Sequence, residues 1–257
     1  MASDDTSRTF ALGGELPINR IGYGAMRLTG QPGNFGPYAN REGGKALLRH
    51  AVELGVNFID TARSYGPGWN ERLIAEALHP YADGLVIATK GGVDKRGPSE
   101  IVVDGSPAVL RSQVEDALTA LRIERIDLFQ LHRVDPAVPV EESVAALDQL
   151  RHEGKIRLIG LSNVDQDMLD RALTVAPIAS VQNRLNRAER GDEALVDYTA
   201  ERGIAFIPYG PLGAHPMQQG AALPAQDALE WLLARSPNTV VIPGTTSAKH
   251  LAENMRI

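Results

Sequence analysis

Short apolar runs alternate regularly with longer segments of helical period along this chain. The apolar runs are rich in Val, Ile, Leu and Ala and carry few charges, which is typical of parallel strands buried on both faces. Eight runs have this character. They are residues 20–26, 56–60, 85–89, 126–132, 158–162, 180–182, 205–208 and 240–242.

A helix-like segment follows each predicted strand, at residues 42–54, 70–78, 108–121, 140–153, 166–174, 193–202, 226–234 and 248–255. Three of these segments end at a glycine, namely Gly55, Gly154 and Gly203, which favours the left-handed conformation of a helix C-cap. Eight strand–helix pairs predict an α/β fold of the closed (β/α)8 type, a TIM barrel, and not an open doubly wound sheet.

The N-terminal part of the chain predicts an addition to the barrel. Residues 10–18, FALGGELPI, indicate two short strands joined at Gly13 and Gly14, a β-hairpin that would plug the N-terminal mouth at the barrel bottom. We expect residues 1–9, which are polar, to be flexible. A length of 257 residues suits one large barrel, and no linker or second core is evident, so we predict a single domain over residues 1–257.

Composition excludes several classes of function. The formal net charge is −6 and the 26 Lys and Arg residues are scattered, which argues against a nucleic-acid surface. The chain has no cysteine, so it has no disulfide, thiolate nucleophile or thiolate metal site. No HxH, HExxH or spaced carboxylate cluster predicts a metal. With no signal peptide or membrane span in the sequence, we expect a cytoplasmic protein that acts on a small molecule without an obligate protein partner.

Four polar residues lie at the predicted C-terminal strand ends, the part of a barrel that carries function. The second strand ends at Asp60 with Tyr65 in its loop, the third runs into Lys90, and the fourth ends at His132. Each has an ordinary structural explanation, such as a turn cap for Asp60 or a solvated side chain for Lys90. Their joint occurrence on one face of the barrel is what predicts a site.

These four residue types form a set for acid–base chemistry. A tyrosine hydroxyl titrates near pH 10, which is too high for an efficient proton donor at neutral pH. A nearby lysine ammonium favours the phenolate, so we predict that Lys90 lowers the pKa of Tyr65. Asp60 would hold Lys90 charged, and His132 would orient a substrate oxygen. None of the four is a good nucleophile, which disfavours covalent catalysis.

The four residues and several neighbouring motifs resemble those of the aldo-keto reductases. The resemblance extends over residues 10–255 in the family's order. The motifs that carry it are GVNFIDTARSYG (55–66), GKIRLIGLSNV (154–164), VQN (181–183) and IPGTTSAKHLAEN (242–254). The resemblance implies reduction of an aldehyde or ketone by NADPH. Hydride would pass from nicotinamide C4 to the carbonyl carbon, and Tyr65 would give a proton to the oxygen.

The resemblance also implies the residues that bind the cofactor. Ser162, Asn163 and Gln182 correspond to the group that binds the nicotinamide carboxamide, and Tyr209 to the aromatic residue that stacks on that ring. Thr245 and Thr246 precede the last helix, where they can donate to a phosphate. The remaining implied contacts are Gly210, Pro211 and Leu212 in the loop after Tyr209, Gly244, Lys249 and His250 near the 2′-phosphate, and Glu253 and Asn254 at the adenine.

The 2′-phosphate region departs from the family pattern. Many family members carry a lysine and an arginine there, whereas this chain has Gly244 and His250, with Lys249 adjacent. Loss of the arginine weakens the preference for NADP over NAD. Lys249, His250 and the Thr/Ser loop can together hold a phosphate dianion, so we predict NADP.

The substrate pocket is assigned to Met26, Trp69 and Arg133, a partly aromatic set with one cation that would suit a polar or acidic carbonyl compound. Residues 65–71, YGPGWNE, form a longer loop than is common in the family, which would place Trp69 over the substrate.

Two alternative functions remain. Residues 77–92 and 242–254 resemble bacterial proteins that act as pyridoxal reductases, although that lineage can lack the histidine that His132 supplies. Barrels of this family also serve as cofactor-sensing regulatory subunits with little turnover. We rank that class below an enzyme, because this acidic chain shows no N-terminal inactivation-type segment.

Overall fold

The computed structural model describes residues 8–211 and 225–257. Its strands are β1 (Thr9–Leu12), β2 (Leu16–Asn19), β3 (Tyr23–Gly24), β4 (Phe58–Asp60), β5 (Val86–Gly91), β6 (Val93–Lys95), β7 (Ile101–Val103), β8 (Ile126–Leu131), β9 (Ile156–Ser162), β10 (Ser180–Gln182) and β11 (Ala205–Phe206). Its α-helices are α1 (Arg41–Glu53), α2 (Trp69–Leu78), α3 (Pro107–Leu121), α4 (Val140–His152), α5 (Gln166–Leu173), α6 (Glu193–Ala200), α7 (Ala225–Arg235) and α8 (Ala248–Asn254).

Seven parallel strands form the barrel wall in the order β3-β4-β5-β8-β9-β10-β11. The eighth predicted strand, residues 240–242, is reduced to isolated bridges. Val241 pairs with Ile21 on one side, and the amide of Val240 donates to the carbonyl of Phe206 at 2.9 Å on the other. These bonds join the two edges of the sheet. The predicted (β/α)8 barrel is therefore confirmed, with the eighth strand and the strand predicted at 20–26 shorter than expected.

All eight predicted helices are present, with bounds shifted by no more than a few residues. The three C-cap glycines have positive φ angles, 94° at Gly55, 78° at Gly154 and 65° at Gly203. At the other ends, the side chain of Asn40 accepts from the amide of Gly43, and that of Asp165 accepts from Met168. Local capping chemistry therefore fixes where these helices begin and end.

The predicted N-terminal hairpin is formed by β1 and β2, which pair antiparallel around Gly13 and Gly14. Leu12 and Ile18 are fully buried, in one cluster with apolar residues of β4, β5, β8 and β11. The hairpin thus covers the N-terminal end of the barrel, and each fully buried Leu or Ile contributes about 2 kcal/mol of burial energy. Strand β1 starts at Thr9, the last residue of the segment expected to be flexible.

A second hairpin, which the sequence analysis did not predict, follows β5 at the opposite end of the barrel. Strands β6 and β7 pair antiparallel, with Val93 opposite Val103. The amine of Lys95 in this hairpin donates to the carbonyl of Gly33 at 2.7 Å, so the hairpin contacts the loop after β3. Among the described helices, none is long and apolar enough to cross a membrane.

A buried arginine supports the place where the barrel closes. The guanidinium of Arg20, just before β3, donates to the carbonyls of Thr239 (3.0 Å), Leu233 (2.6 Å) and Ser236 (2.7 Å). Only 8% of Arg20 is exposed. It therefore satisfies backbone oxygens between the end of α7 and the eighth strand position, where buried carbonyls would otherwise lack donors.

We expect Arg20→Met to lower the free energy of unfolding by about 3 kcal/mol, because three carbonyls lose a charged donor in a buried place. The measurement is the urea midpoint with an unchanged m-value. Arg96→Met, at an exposed arginine of the β6–β7 hairpin, is the control and should change stability by no more than about 0.5 kcal/mol. Equal midpoints for the two variants would contradict this role of Arg20.

Candidate active site

The site is built on an ion pair inside the C-terminal end of the barrel. Asp60 ends β4, and Lys90 lies on the neighbouring strand β5. The amine of Lys90 donates to Asp60 Oδ1 at 2.6 Å and to the carbonyl of Thr61 at 2.9 Å. Lys90 is 0% exposed and Asp60 is 2% exposed. Each charge therefore relies on the other for compensation, since water does not solvate them.

Tyr65 reaches this pair from the loop after β4. Its hydroxyl is 3.5 Å from Lys90 Nζ, which also lies 5.1 Å from the centre of its ring. The loop is held to β5 by two backbone bonds, from the amide of Thr61 to Ala88 at 2.8 Å and from that of Arg63 to Lys90 at 2.9 Å. The half-buried Tyr65 therefore has a fixed approach to the ammonium.

His132 completes the group. It directly follows β8, and its amide donates to the carbonyl of Gly91 at 2.8 Å. Its ring lies edge-on to that of Tyr65, with centroids 6.0 Å apart and planes at 83°. Nδ1 of His132 is 3.4 Å from Ser64 Oγ. Nε2 is therefore the ring nitrogen that can contact a substrate. The structure thus brings the four predicted catalytic residues together.

The pKa shifts in this group have identifiable causes. Burial raises the pKa of Tyr65 above its ordinary value, and the charge of Lys90 only partly opposes this. Lys90 lowers the pKa of Tyr65, as predicted, but the upward effect of burial on that pKa is larger. Burial alone would lower the pKa of Lys90, yet Asp60 and Tyr65 more than offset it, so that pKa is raised. Burial and the charge of Lys90 hold the pKa of His132 well below its ordinary value. At neutral pH the site therefore presents a protonated phenol, an ammonium and a neutral imidazole.

Two glutamine amides hold the second oxygen of Asp60. Gln130 Nε2 lies 3.2 Å and Gln182 Nε2 lies 2.9 Å from Asp60 Oδ2. Gln182 is predicted to contact the nicotinamide, which stays a prediction, and in the structure its amide contacts the carboxylate of Asp60. Gln130 was missed by the sequence analysis, where the available signal was one amide between the apolar residues Phe129 and Leu131.

Ser162, Asn163 and Tyr209 form one hydrogen-bonded group beside the tetrad. The hydroxyl of Tyr209 donates to Asn163 Oδ1 at 2.6 Å, and Asn163 Nδ2 donates to the carbonyl of His132 and to Ser162 Oγ, both at 3.0 Å. Asn163 has a φ of 58°. The guanidinium of Arg184 lies 5.5 Å from the ring centre of Tyr209, a contact that the sequence analysis did not identify.

The backbone explains the glycine at position 244. A Cβ there would lie 2.7 Å from the carbonyl oxygen of Gly24, since the two segments approach closely where the barrel closes. A lysine, which many family members carry at this position, would require that backbone to move. Thr245 is also held at this place, because its carbonyl accepts from the hydroxyl of Tyr23 at 2.6 Å.

The remaining predicted cofactor residues differ in exposure. Three of them are exposed around the start of α8, namely Thr246, Lys249 and His250. The amine Nζ of Lys249 lies 3.8 Å from Glu253 Oε1. Asn254 is only 6% exposed, so little of it is available to an adenine. Gly210 and Pro211 are half-buried after Tyr209, whereas Leu212 lies outside the described residues.

The three predicted pocket residues are exposed. Trp69 is the first residue of α2, and its ring lies between the guanidinium groups of Arg41 and Arg72, 5.5 Å and 5.3 Å from its centre. Trp69 thus packs against side chains of α1 and α2, and its position over the substrate stays a prediction. Met26 lies in a short helical turn after β3, and Arg133 follows His132. Among the described residues, no group of three His, Asp or Glu side chains is arranged to hold a metal ion.

Comparison with known proteins identifies the family. The model of the aldo/keto reductase family matches residues 20–222. This chain belongs to the aldo-keto reductase family. Among curated relatives, a pyridoxine 4-dehydrogenase of Escherichia coli is 42% identical over 266 residues, covering 97% of this chain and 92% of the relative. An uncharacterised oxidoreductase of Schizosaccharomyces pombe is also 42% identical, and the match covers 95% of this chain and 82% of the length of that relative.

Solved aldo-keto reductases have the same fold. A glycerol dehydrogenase of Gluconobacter oxydans superposes with a TM-score of 0.85 at 26% identity, covering 99% of this chain and 90% of its own. An aldo-keto reductase of Klebsiella pneumoniae in complex with NADPH gives a TM-score of 0.80 at 26% identity, with 97% and 90% covered. The resemblance inferred from the sequence motifs is thereby confirmed, and the protein is an oxidoreductase of this family.

Glu71 is a buried carboxyl group next to the site. It lies on α2 shortly after the Tyr65 loop and is 0% exposed. Its Oε1 accepts from the hydroxyl of Thr89 at 2.6 Å, while Oε2 has no hydrogen-bond partner among the described residues. Burial raises the pKa of Glu71 above 4.5, and the hydroxyl of Thr89 opposes this only in part.

Glu71 should therefore make stability depend on pH. The folded state holds the Glu71 proton more tightly than the unfolded state, so this residue lowers stability as pH rises from 4.5 through the raised folded pKa. We expect Glu71→Gln to gain stability relative to the wild type across that window and to keep the gain at higher pH. Urea unfolding at several pH values measures it, with exposed Glu100→Gln as control. A difference that does not grow with pH would contradict the assignment.

Proposed function

We propose that this protein is an NADP-dependent reductase that converts an aldehyde or ketone to an alcohol. The observation that carries the proposal is the approach of the Tyr65 hydroxyl to Lys90 Nζ, 3.5 Å apart, with Lys90 paired to Asp60 at 2.6 Å. This arrangement places a proton donor beside a cation that can stabilise the phenolate left after donation.

The residues present fit the cofactor. Amide and hydroxyl groups of Ser162, Asn163 and Gln182 lie beside the tetrad, where they can bind a carboxamide. Exposed Thr246 and Lys249, at the start of α8, suit a phosphate. When bound, the reduced nicotinamide supplies the hydride that the carbonyl carbon receives.

The residues of the chain manage the proton. Tyr65 is protonated at neutral pH and donates to the carbonyl oxygen as negative charge develops there. Lys90 stabilises the resulting phenolate, and Asp60 keeps the ammonium charged in its buried position. The imidazole of His132 is neutral, so its Nε2 can orient the carbonyl oxygen without competing as a strong acid.

A more specific second candidate is the interconversion of pyridoxal and pyridoxine. It is favoured by the relative from Escherichia coli named pyridoxine 4-dehydrogenase, which is 42% identical over 97% of this chain. A screen of aldehydes and ketones that includes pyridoxal, followed with NADPH and with NADH, tests the substrate and the cofactor together. NADPH binding without turnover on any of them would favour the regulatory-subunit alternative.

We expect Tyr65→Phe to lower kcat/KM for carbonyl reduction about 10²–10⁴-fold, since general-acid catalysis is lost. The dissociation constant of NADPH, measured by fluorescence quenching, should change less than about twofold, because the substitution leaves the proposed cofactor contacts in place. Tyr198→Phe on α6 removes a hydroxyl outside the barrel and serves as control. Wild-type turnover by Tyr65→Phe would refute the mechanism.

We expect Lys249→Ala to raise KM for NADPH about tenfold, the loss of one charge-assisted contact to phosphate. KM for NADH, which lacks the 2′-phosphate, should stay unchanged, so the comparison isolates that group. Lys155→Ala, directly before β9 at the opposite barrel end, is the matched control. Equal increases for both cofactors would contradict a role of Lys249 at the 2′-phosphate.

A further inference from the structure

Gln130 is an unusual residue for its position. It lies on β8 between Phe129 and Leu131 and is 0% exposed. The interior of such a barrel is normally filled with bulky apolar side chains. A buried amide is costly unless its donor and acceptor are both used, so its partners indicate why it is there.

The two ends of the Gln130 amide contact different strands. Nε2 lies 3.2 Å from Asp60 Oδ2, and Oε1 lies 3.4 Å from the hydroxyl of Ser180 on β10. In the sheet register Gln130 is level with Lys90 on one side and with Gly160 on the other. The amide thus spans the barrel interior at the depth of the ion pair.

Gly160 makes room for this side chain. A Cβ at position 160 would lie 2.8 Å from Gln130 Cγ and 2.2 Å from Ser180 Oγ. The glycine on β9, between β8 and β10, is therefore required by the close packing of both Ser180 and Gln130 against it. Three neighbouring strands are thus adapted to one hydrogen bond to Asp60.

We propose that Gln130 is a positioning residue of the proton-transfer site: it fixes Asp60 and stabilises its carboxylate charge, so that Oδ1 stays directed at Lys90. The inference rests on the proposed function, because it assigns to Gln130 an effect on Tyr65 that acts through Asp60 and Lys90. Gln130 itself has no contact with the Tyr65 hydroxyl among the hydrogen bonds of the described residues.

The physical consequence has a definite direction. Without the amide donor, the charge of Asp60 is less compensated and acts more strongly on its surroundings. Asp60 opposes ionisation of Tyr65, whereas Lys90 favours it. Among the described residues, the titratable groups that act on Tyr65 are Asp60, Lys90, His132 and Tyr209, and Asp60 is the one carboxylate of this set. Loss of Gln130 should therefore make the phenolate harder to form.

Gln182 offers a comparison within the same site. It donates to the same oxygen of Asp60, at 2.9 Å, but it is also a proposed contact of the cofactor. Replacement of Gln182 should affect both proton transfer and NADPH binding. Replacement of Gln130 should affect proton transfer alone.

The experiment compares Gln130→Met and Gln182→Met with the wild type, using benzaldehyde and pyridoxal for reduction and benzyl alcohol for oxidation. Methionine keeps the length and removes the donor. For Gln130→Met we expect a kcat about tenfold lower, a NADPH dissociation constant within about twofold, and a rising limb of the oxidation pH profile shifted upward by about half a unit or more. For Gln182→Met the NADPH dissociation constant should also rise.

Ser180→Ala controls for general disturbance of the barrel interior, because it leaves the bond from Gln130 to Asp60 possible. It should leave the pH profile in place. A Gln130→Met variant with a wild-type profile and kcat, or with a lower kcat and no shift, would overturn the inference. That result would leave the proposed function intact if Tyr65→Phe is inactive, whereas an active Tyr65→Phe would remove the proposed function itself.

Discussion

The interaction on which the rest of the site depends is the ion pair between Lys90 and Asp60, 2.6 Å apart and almost without exposure. Removing either partner alone from such a place typically costs about 3–5 kcal/mol, because the other charge is left unpaired. The surrounding structure meets this demand with further donors and acceptors. Thr61 takes a second bond from the ammonium, and two glutamine amides donate to the carboxylate. Chemistry and stability are therefore supported by the same hydrogen bonds.

Much of the fold and the site could be predicted because barrel topology converts sequence order into spatial proximity. Asp60, Lys90 and His132 are far apart in sequence, yet each lies at the end of a strand, and parallel strands bring those ends to one face. The helix ends followed from local signals such as the glycines at positions 55 and 154. These features depend on short stretches of chain, which is why one sequence suffices to find them.

The features that could not be predicted depend on depth and on side-chain direction. The pKa of Tyr65 is a competition between burial and the charge of Lys90, and the sequence indicates the charge but not the extent of burial. Gln130 lies between the apolar residues Phe129 and Leu131, and only the three-dimensional structure shows that its amide contacts Asp60. Trp69 was predicted to lie in a loop, but it is the first residue of α2, which starts directly after Gly68. Each strand of the β6–β7 hairpin has only three residues, which is too short to show a strand pattern in the sequence.

The close approach of Gly24 and Gly244 has a consequence for how this barrel is held shut. The segment that precedes α8 forms the bridge to Ile21, accepts from Tyr23 and then passes to the exposed residues suited to a phosphate. A ligand bound to that segment would therefore contact the place where the last strand position pairs with the first and closes the barrel. Since a ligand that binds only the folded state stabilises it by mass action, occupancy of the site and closure of the barrel become one equilibrium. Resistance to unfolding would then report the supply of cofactor around the protein.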